Sequence, residues 1–252
     1  MLKIVDITRV KKITKSFGGD VAIQNCSFEV PEGKIVGLVG PNGGGKTTIL
    51  NIICGIIKPD SGEIYLNNER IDNKSIEKRA NLGIARSFQD SKLFNNLTVR
   101  ENLLLAMEDS DTLFFKNIFG LNKISTEKEK KVEELLKLIN FPDLINELVR
   151  DLSWGQRKLI DFLKTIIKPY SIALLDEPAA GIIPIFRQEK IGKLLAAERE
   201  KNKTILLIDH DLSFTFKYSD IILFMSEGRI IKSGTPEEIR KDKKIINTYI
   251  GK

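Results

Sequence analysis

Cysteine is scarce. The 252 residues hold two, Cys26 and Cys54, which is too few for a disulfide framework or a cysteine metal site. Both are expected to be small buried apolar side chains in a reducing compartment. Long hydrophobic runs are also missing. Apolar runs such as Ile35–Val39, Ile172–Leu175, Thr204–Ile208 and Ile221–Met225 are strand-sized and fall far short of the ~18 residues that span a bilayer. The start, Met1–Lys15, alternates apolar and basic residues and lacks the apolar core of a secretory signal, so the chain is expected in the cytosol. There is no low-complexity tract and no internal repeat. A net charge of +6 raises the question of an anionic partner. The basic residues are scattered, however, and form no stripe interleaved with aromatics, so no nucleic-acid partner is expected.

What is present is an ordinary globular composition, 42% hydrophobic and 29% charged, long enough for one large domain with a true core. Strand-like apolar runs alternate with helix-period stretches, which predicts an α/β architecture. Strands are expected at Ile7–Ile13, Cys26–Val30, Ile35–Val39, Glu63–Leu66, Ile84–Phe88, Ile172–Leu175, Thr204–Ile208, Ile221–Met225 and Arg229–Lys232. The early strands lie close together across Gly-containing turns and should be antiparallel. Those at Ile35, Ile172 and Thr204 are almost wholly apolar, as central parallel strands are. From about Asp90 to Lys168 no strand is evident. Thr126–Asn140 carries an apolar stripe (Val132, Leu135, Leu136, Ile139), and Trp154–Ile167 reads as a second helix that stops at Lys168-Pro169. The expectation is one domain with an α/β core over 1–89 and 168–252 and a helical subdomain over 90–167.

The strongest chemical signal is the run Gly40, Pro41, Asn42, Gly43, Gly44, Gly45, Lys46, Thr47, Thr48. It fits G-x-x-x-x-G-K-[ST] and sits between an apolar strand and a helix, where a phosphate-cradling loop must sit. Glycines let the backbone wrap closely and aim N–H groups at phosphates, and the helix N-terminus adds partial positive charge. Lys46 would reach the β- and γ-phosphates, and the Thr47 hydroxyl would ligate Mg²⁺. The second signal is an apolar strand ending in Asp176-Glu177-Pro178. Ligands of open α/β sheets bind beyond the C-terminal strand ends, which brings both acids toward the phosphates. Asp176 would hold the metal and Glu177 would polarise the attacking water. Ser153, Gly155 and Gln156 open the second predicted helix. Ser153 is a good N-cap, and the alternative is a second anion site there.

With these residues assembled, the chain resembles the ABC-type ATPases, the nucleotide-binding subunits of ABC transporters. The motifs run in the family's order: the P-loop, Ser87-Phe88-Gln89, the signature Leu152–Gln156, Asp176-Glu177 and Asp209-His210-Asp211. The resemblance implies a P-loop NTPase fold, with a RecA-like core, an antiparallel β-subdomain and an inserted α-helical subdomain. It implies ATP and Mg²⁺ as cofactors and a second ATPase chain, two of which close head to tail with each ATP between one P-loop and the other chain's signature. It further implies transmembrane permease subunits, an indirect solute-binding protein, and a place on the inner face of the cell membrane. By the same resemblance Phe17 stacks on adenine (the alternative is a core residue at the end of strand one), Gln89 senses metal and water, and His210, the single histidine, contacts the γ-phosphate. Ser153, Gly155 and Gln156 meet the partner chain's nucleotide. Finer stretches, Gly83–Gln89, Leu93–Leu103, Asp176–Gly181 and Gly234–Ile239, are similar to the importers of branched-chain amino acids. A soluble non-transport ATPase, such as one for iron–sulfur assembly, and a lipid-export ATPase stay open as alternatives. Two departures stand out. Gly44 replaces a usual Ala or Ser and is expected to be neutral. Ile183 stands where the family carries Asp or Asn facing the partner chain. The apolar segment Leu113–Phe119 is expected either to pack inside the helical lobe or to dock on a permease.

Overall fold

The computed structural model describes residues 6–87, 93–108, 125–178, 180–183, 186–242 and 245. It divides into two compact units. The first comprises Met1–Arg86, Tyr170–Glu177 and Ala197–Lys252, and the second Ser87–Pro169 with Pro178–Ala196. The stretch Pro178–Ala196, placed in the core on sequence grounds, thus groups with the helical residues.

The first unit holds two sheets. One is antiparallel, in the order β2 (Asp20–Pro31), β1 (Asp6–Phe17), β4 (Ser61–Leu66), β5 (Glu69–Arg70). The other has six strands in the order β10 (Arg229–Gly234), β9 (Ile221–Ser226), β3 (Ile35–Val39), β8 (Ile205–Ile208), β7 (Ile172–Asp176), β6 (Ile84–Arg86). From β9 to β6 the second sheet is parallel, and β10 closes it antiparallel. β3, β7 and β8 are buried at every residue, as their unbroken apolar sequences require of strands covered on both faces. The helix α1 (Lys46–Cys54) contributes Ile49, Leu50, Ile52 and Ile53 to a core shared with Val10, Ile13, Ile23 and Val30 of the antiparallel sheet and with Val36, Leu38, Leu174 and Leu206 of the parallel one. A smaller cluster, Val39, Ile222, Phe224, Ile239 and Ile245, is flanked by Leu212 and Phe216 of α7 (Leu212–Tyr218), while Ile239 comes from α8 (Pro236–Arg240). Arg79, on α2 (Ile76–Asn81), is 2% exposed and donates to the carbonyls of Ile52 and Ile53 at the end of α1. It satisfies acceptors that a helix end leaves open.

β1 and β2 run well beyond the predicted limits, because Lys15, Ser16 and Phe17 pair with Ile23, Val21 and Asp20 across the hairpin. β6 is described only as Ile84–Arg86, and the remainder of the strand expected through Phe88 lies outside the described residues.

In the second unit, α3 (Val99–Ala106) packs against α4 (Thr126–Leu138) and α5 (Trp154–Ile166). Leu103, Val132, Leu136, Ile160 and Leu163 are buried. A π-helical turn, Arg187–Gly192, leads into α6 (Lys193–Glu200). Among the described residues no helix is long and apolar enough to cross a membrane. Both cysteines are free and buried, as expected, and burial raises the Cys26 thiol to about 12.

A candidate nucleotide site at the ends of the parallel strands

β3 delivers the chain into the glycine-rich turn, and two glycines there are dictated by geometry. Gly40 has φ 153°, and a Cβ would fall 1.8 Å from the carbonyl oxygen of Met225 on neighbouring β9. Gly45 has φ 98°, and a Cβ would lie 2.7 Å from Ile23 Cδ1. Gly45 is also the N-cap of α1, and no side chain caps the helix start. The opening amides of α1 are thus left to an anion, which the helix dipole favours. Lys46 is 8% exposed, and its Nζ donates to the carbonyls of Gly40 (2.7 Å) and Pro41 (2.8 Å). Burial pulls its pKa down, while Glu177 and Asp176 oppose the shift.

β7 ends in the acids. Asp176 is 1% exposed, with Arg86 Nη2 3.4 Å from its Oδ2. Burial raises its pKa, the Arg86 charge resists, Glu177 adds to the rise, and the Thr47 hydroxyl and Lys46 counter it; the net shift is upward. Glu177 takes the left-handed region at φ 51°, uncommon for a residue with a Cβ. Its amide donates to Ile208 O at 2.8 Å, which pins it to the end of β8. From there Oε1 lies 2.7 Å from Nε2 of His210, two residues beyond β8. Because β3, β8 and β7 are parallel neighbours, their C-terminal ends assemble one site from three distant stretches of sequence. An open cavity of about 210 Å³ results, lined by Ala22, Asn42–Thr48, Glu177 and His210.

The donor set suits a hard divalent cation. The Thr47 hydroxyl and the buried Asp176 carboxylate are hydrogen-bonded to each other and supply only oxygen. Among the described residues no group of three or more His, Cys, Asp and Glu could hold a metal alone. The oxygen pair of Thr47 and Asp176 fits Mg²⁺, which is bound through one or two protein ligands together with substrate phosphates.

The ABC transporter family model matches residues 23–180, a span that runs from β2 through the phosphate loop to the acids after β7. The chain belongs to the ABC transporter family. It is 32% identical, over 97% of its length and 98% of the relative's, to the high-affinity branched-chain amino acid transport ATP-binding protein BraF of Pseudomonas aeruginosa. Among solved structures it resembles the ADP conformation of an ATP-binding cassette of an ABC transporter (29% identity, 98% of this chain and 100% of that chain, TM-score 0.82). It also resembles a dimeric ATP-binding cassette in a post-hydrolysis state bound to ADP and Pi (25% identity, 91% of this chain and 98% of that chain, TM-score 0.76). This ABC ATPase is therefore a nucleotide-binding, ATP-hydrolysing P-loop protein.

The structure of this ABC ATPase brings together the glycine-rich loop, Lys46, Thr47, Thr48, Glu177 and His210 around the cavity. Asp176 sits behind it, in contact with Thr47. Phe17 is 48% exposed, so it is not the core residue considered as its alternative, and it is not among the cavity's lining residues. At Gly44 a Cβ would meet Pro41 O at 3.0 Å and Met225 O at 3.3 Å, so the bare glycine avoids two close contacts. Ser153, Gly155 and Gln156 lie in the second unit. There the Ser153 side chain accepts from Gln156 N (3.3 Å) and Gln156 Oε1 accepts from Ser153 N (2.8 Å), a reciprocal capping box that opens α5. Space around Gly155 is open. Trp154 is half exposed and lies against Gly181 so closely that a Cβ on Gly181 would fall 2.2 Å from Cζ3. Ile183 is 61% exposed. Gln89 and the segment 113–119 lie outside the described residues.

Two participants escaped the sequence reading. Ala22 lines the cavity from β2 and carries no chemical signal. Arg86 touches Asp176 from the adjacent strand. Its signal was a lone cation at the end of an otherwise apolar strand.

Proposed function

We propose that this ABC ATPase powers the import of branched-chain or related amino acids through membrane permease subunits. It would act on the cytoplasmic face of the membrane, paired with a second ATPase chain and fed indirectly by a solute-binding protein. The observation that carries this reading is the similarity to BraF along nearly all of both chains. A transporter's ATPase subunit needs a complete hydrolytic site, and the residues at the strand ends supply the parts of one.

In this reading the loop amides and Lys46 hold the phosphates. Lys46 Nζ exchanges the Gly40 and Pro41 carbonyls for phosphate oxygens. Thr47 and Asp176 would hold Mg²⁺, which, when bound, neutralises charge developing on the β- and γ-phosphates. Glu177 accepts the proton of the attacking water. Glu177 is hydrogen-bonded to His210. The γ-phosphate gives Nε2–H a new acceptor, and its transfer leaves the Glu177 carboxylate open to water. Phe17 would stack on adenine, Gln89 would report on metal and water, and Ser153, Gly155 and Gln156 would meet the partner chain's ATP. The apolar, exposed Ile183 favours pairing with a different ATPase over self-pairing. A donor facing it would otherwise be buried unpaired, at a loss of roughly 1–3 kcal/mol.

The test is copurification and stimulation. A tagged chain expressed in its own cells should bring down integral membrane proteins, and its ATPase rate should rise when they are present. Recovery wholly in the aqueous fraction, with full activity alone, would favour a non-transport ATPase.

A further inference from the structure

Arg86 has no part in the hydrolytic scheme, yet it is built into the site. Its side chain is 7% exposed and the carboxylate beside it 1%. Nη2 lies 3.4 Å from Asp176 Oδ2, and Nη1 donates to Cys54 Sγ at 3.2 Å, at the last residue of α1. Arg86 and Asp176 come from adjacent parallel strands, with Arg86 registered against Leu174. A guanidinium cannot lose its proton in a protein, so this is a permanent positive charge held next to the proposed metal carboxylate.

We propose that Arg86 is a positioning residue that acts as the standing counter-ion of Asp176, holding this carboxylate against capture of a divalent cation until nucleotide phosphates bring the metal in. The inference rests on the reading of Thr47 and Asp176 as metal ligands. Two observations carry it. A carboxylate this buried needs a compensating charge, and Arg86 forms an ion pair with it. The two ligands assigned here, Thr47 and Asp176, fill only part of the oxygen shell that Mg²⁺ takes, and nucleotide phosphates supply more of it. With Arg86 in place, the site is electrically closed when empty and opens to metal only with nucleotide.

A neighbouring unit charge changes a carboxylate's affinity for a proton by roughly ten- to a thousandfold, and an effect of at least the low end of that range is expected for a metal cation. The probe is Mn²⁺, followed by its electron paramagnetic resonance signal, titrated into the full chain with and without ADP. Nucleotide-free wild type should bind Mn²⁺ weakly, and tight binding there would overturn the proposal without any variant. Arg86→Gln should bind Mn²⁺ about tenfold more tightly without nucleotide, and its affinity for metal-free ADP should not change. Arg86→Lys should stay near wild type. A merely structural Arg86 would alter metal-free and metal-loaded ADP binding together, and that result, or unchanged or weaker Mn²⁺ binding by folded Arg86→Gln, overturns the proposal. Asp176→Asn separates the two levels. If it leaves Mn-ADP binding unchanged, the metal reading falls and the inference with it. If it weakens Mn-ADP binding while Arg86→Gln changes nothing, only the inference falls.

Discussion

The glycines of this chain allow a graded test of how the phosphate loop is positioned. A methyl group added at Gly40 would fall 1.8 Å from Met225 O, whereas ordinary contact begins near 3.4 Å. Either the loop or β9 must retreat by about 1.6 Å, and β9 is a buried strand paired on both sides. The loop is the element that yields. A displacement of about 1 Å near reacting groups is enough to cost on the order of 10²-fold in rate. Gly40→Ala should therefore lower ADP affinity at least about tenfold and ATP turnover by on the order of 10²-fold. Gly43→Ala meets no atom within 4 Å but must hold φ 76°. It should cost only the left-handed penalty of about 1–2 kcal/mol in stability, with a smaller loss of binding. Gly155→Ala has open space and no positive φ, so the chain alone should keep its stability and ADP affinity. The assays are calorimetric titration with ADP, thermal unfolding and steady-state ATPase rate for all three variants. ADP affinity within twofold of wild type for Gly40→Ala, or a larger loss for Gly43→Ala than for Gly40→Ala, would refute the geometric argument.

Glu177→Gln should retain MgATP affinity but lose roughly 10²–10⁴ in turnover, the usual contribution of a general base, as measured by phosphate release under saturating ATP. Lys46→Ala should weaken ATP and ADP binding alike, because a cation facing phosphates acts in the ground and transition states, and calorimetry showing unchanged affinity would contradict its placement. Phe17→Ala should cost about 1–3 kcal/mol of ATP binding but not of tripolyphosphate binding if the exposed ring stacks on the base; equal losses would mean it does not. Ile183→Asp should raise the concentration-dependent ATPase rate of the chain assayed alone, and a fast rate unaffected by the substitution would refute the preference for an unlike partner.

The site was legible where chemistry and periodicity coincide. An unbroken apolar run followed by glycines and Lys46 announces a buried strand, a tight turn and a phosphate site at once. Asp176 and Glu177 follow the same logic after β7, and His210 after β8. The sequence does not state that these ends are neighbours in the order β3, β8, β7; parallel pairing of distant strands does. β5 escaped because Glu69 and Arg70 have no apolar residue between them and pair only at the edge of the sheet. The full length of the β1–β2 hairpin escaped because Lys12 and Asn25 sit at positive φ and break the alternation on which strand reading depends. Arg86 was legible as a residue but not as a contact, since its partner lies ninety positions away on another strand. Glu177's left-handed backbone has no compositional mark at all. It follows from the hydrogen bond to Ile208 that turns the chain toward His210.

The most direct test of the account is substrate uptake by a reconstituted transporter. The chain would be assembled with its sister ATPase and permeases in liposomes, with the solute-binding protein and radiolabelled leucine outside and MgATP inside. The account predicts leucine accumulation that depends on ATP and that falls with Glu177→Gln in proportion to the loss of hydrolysis. Accumulation unchanged by Glu177→Gln, or hydrolysis at full rate with no uptake of any branched-chain amino acid, would contradict it.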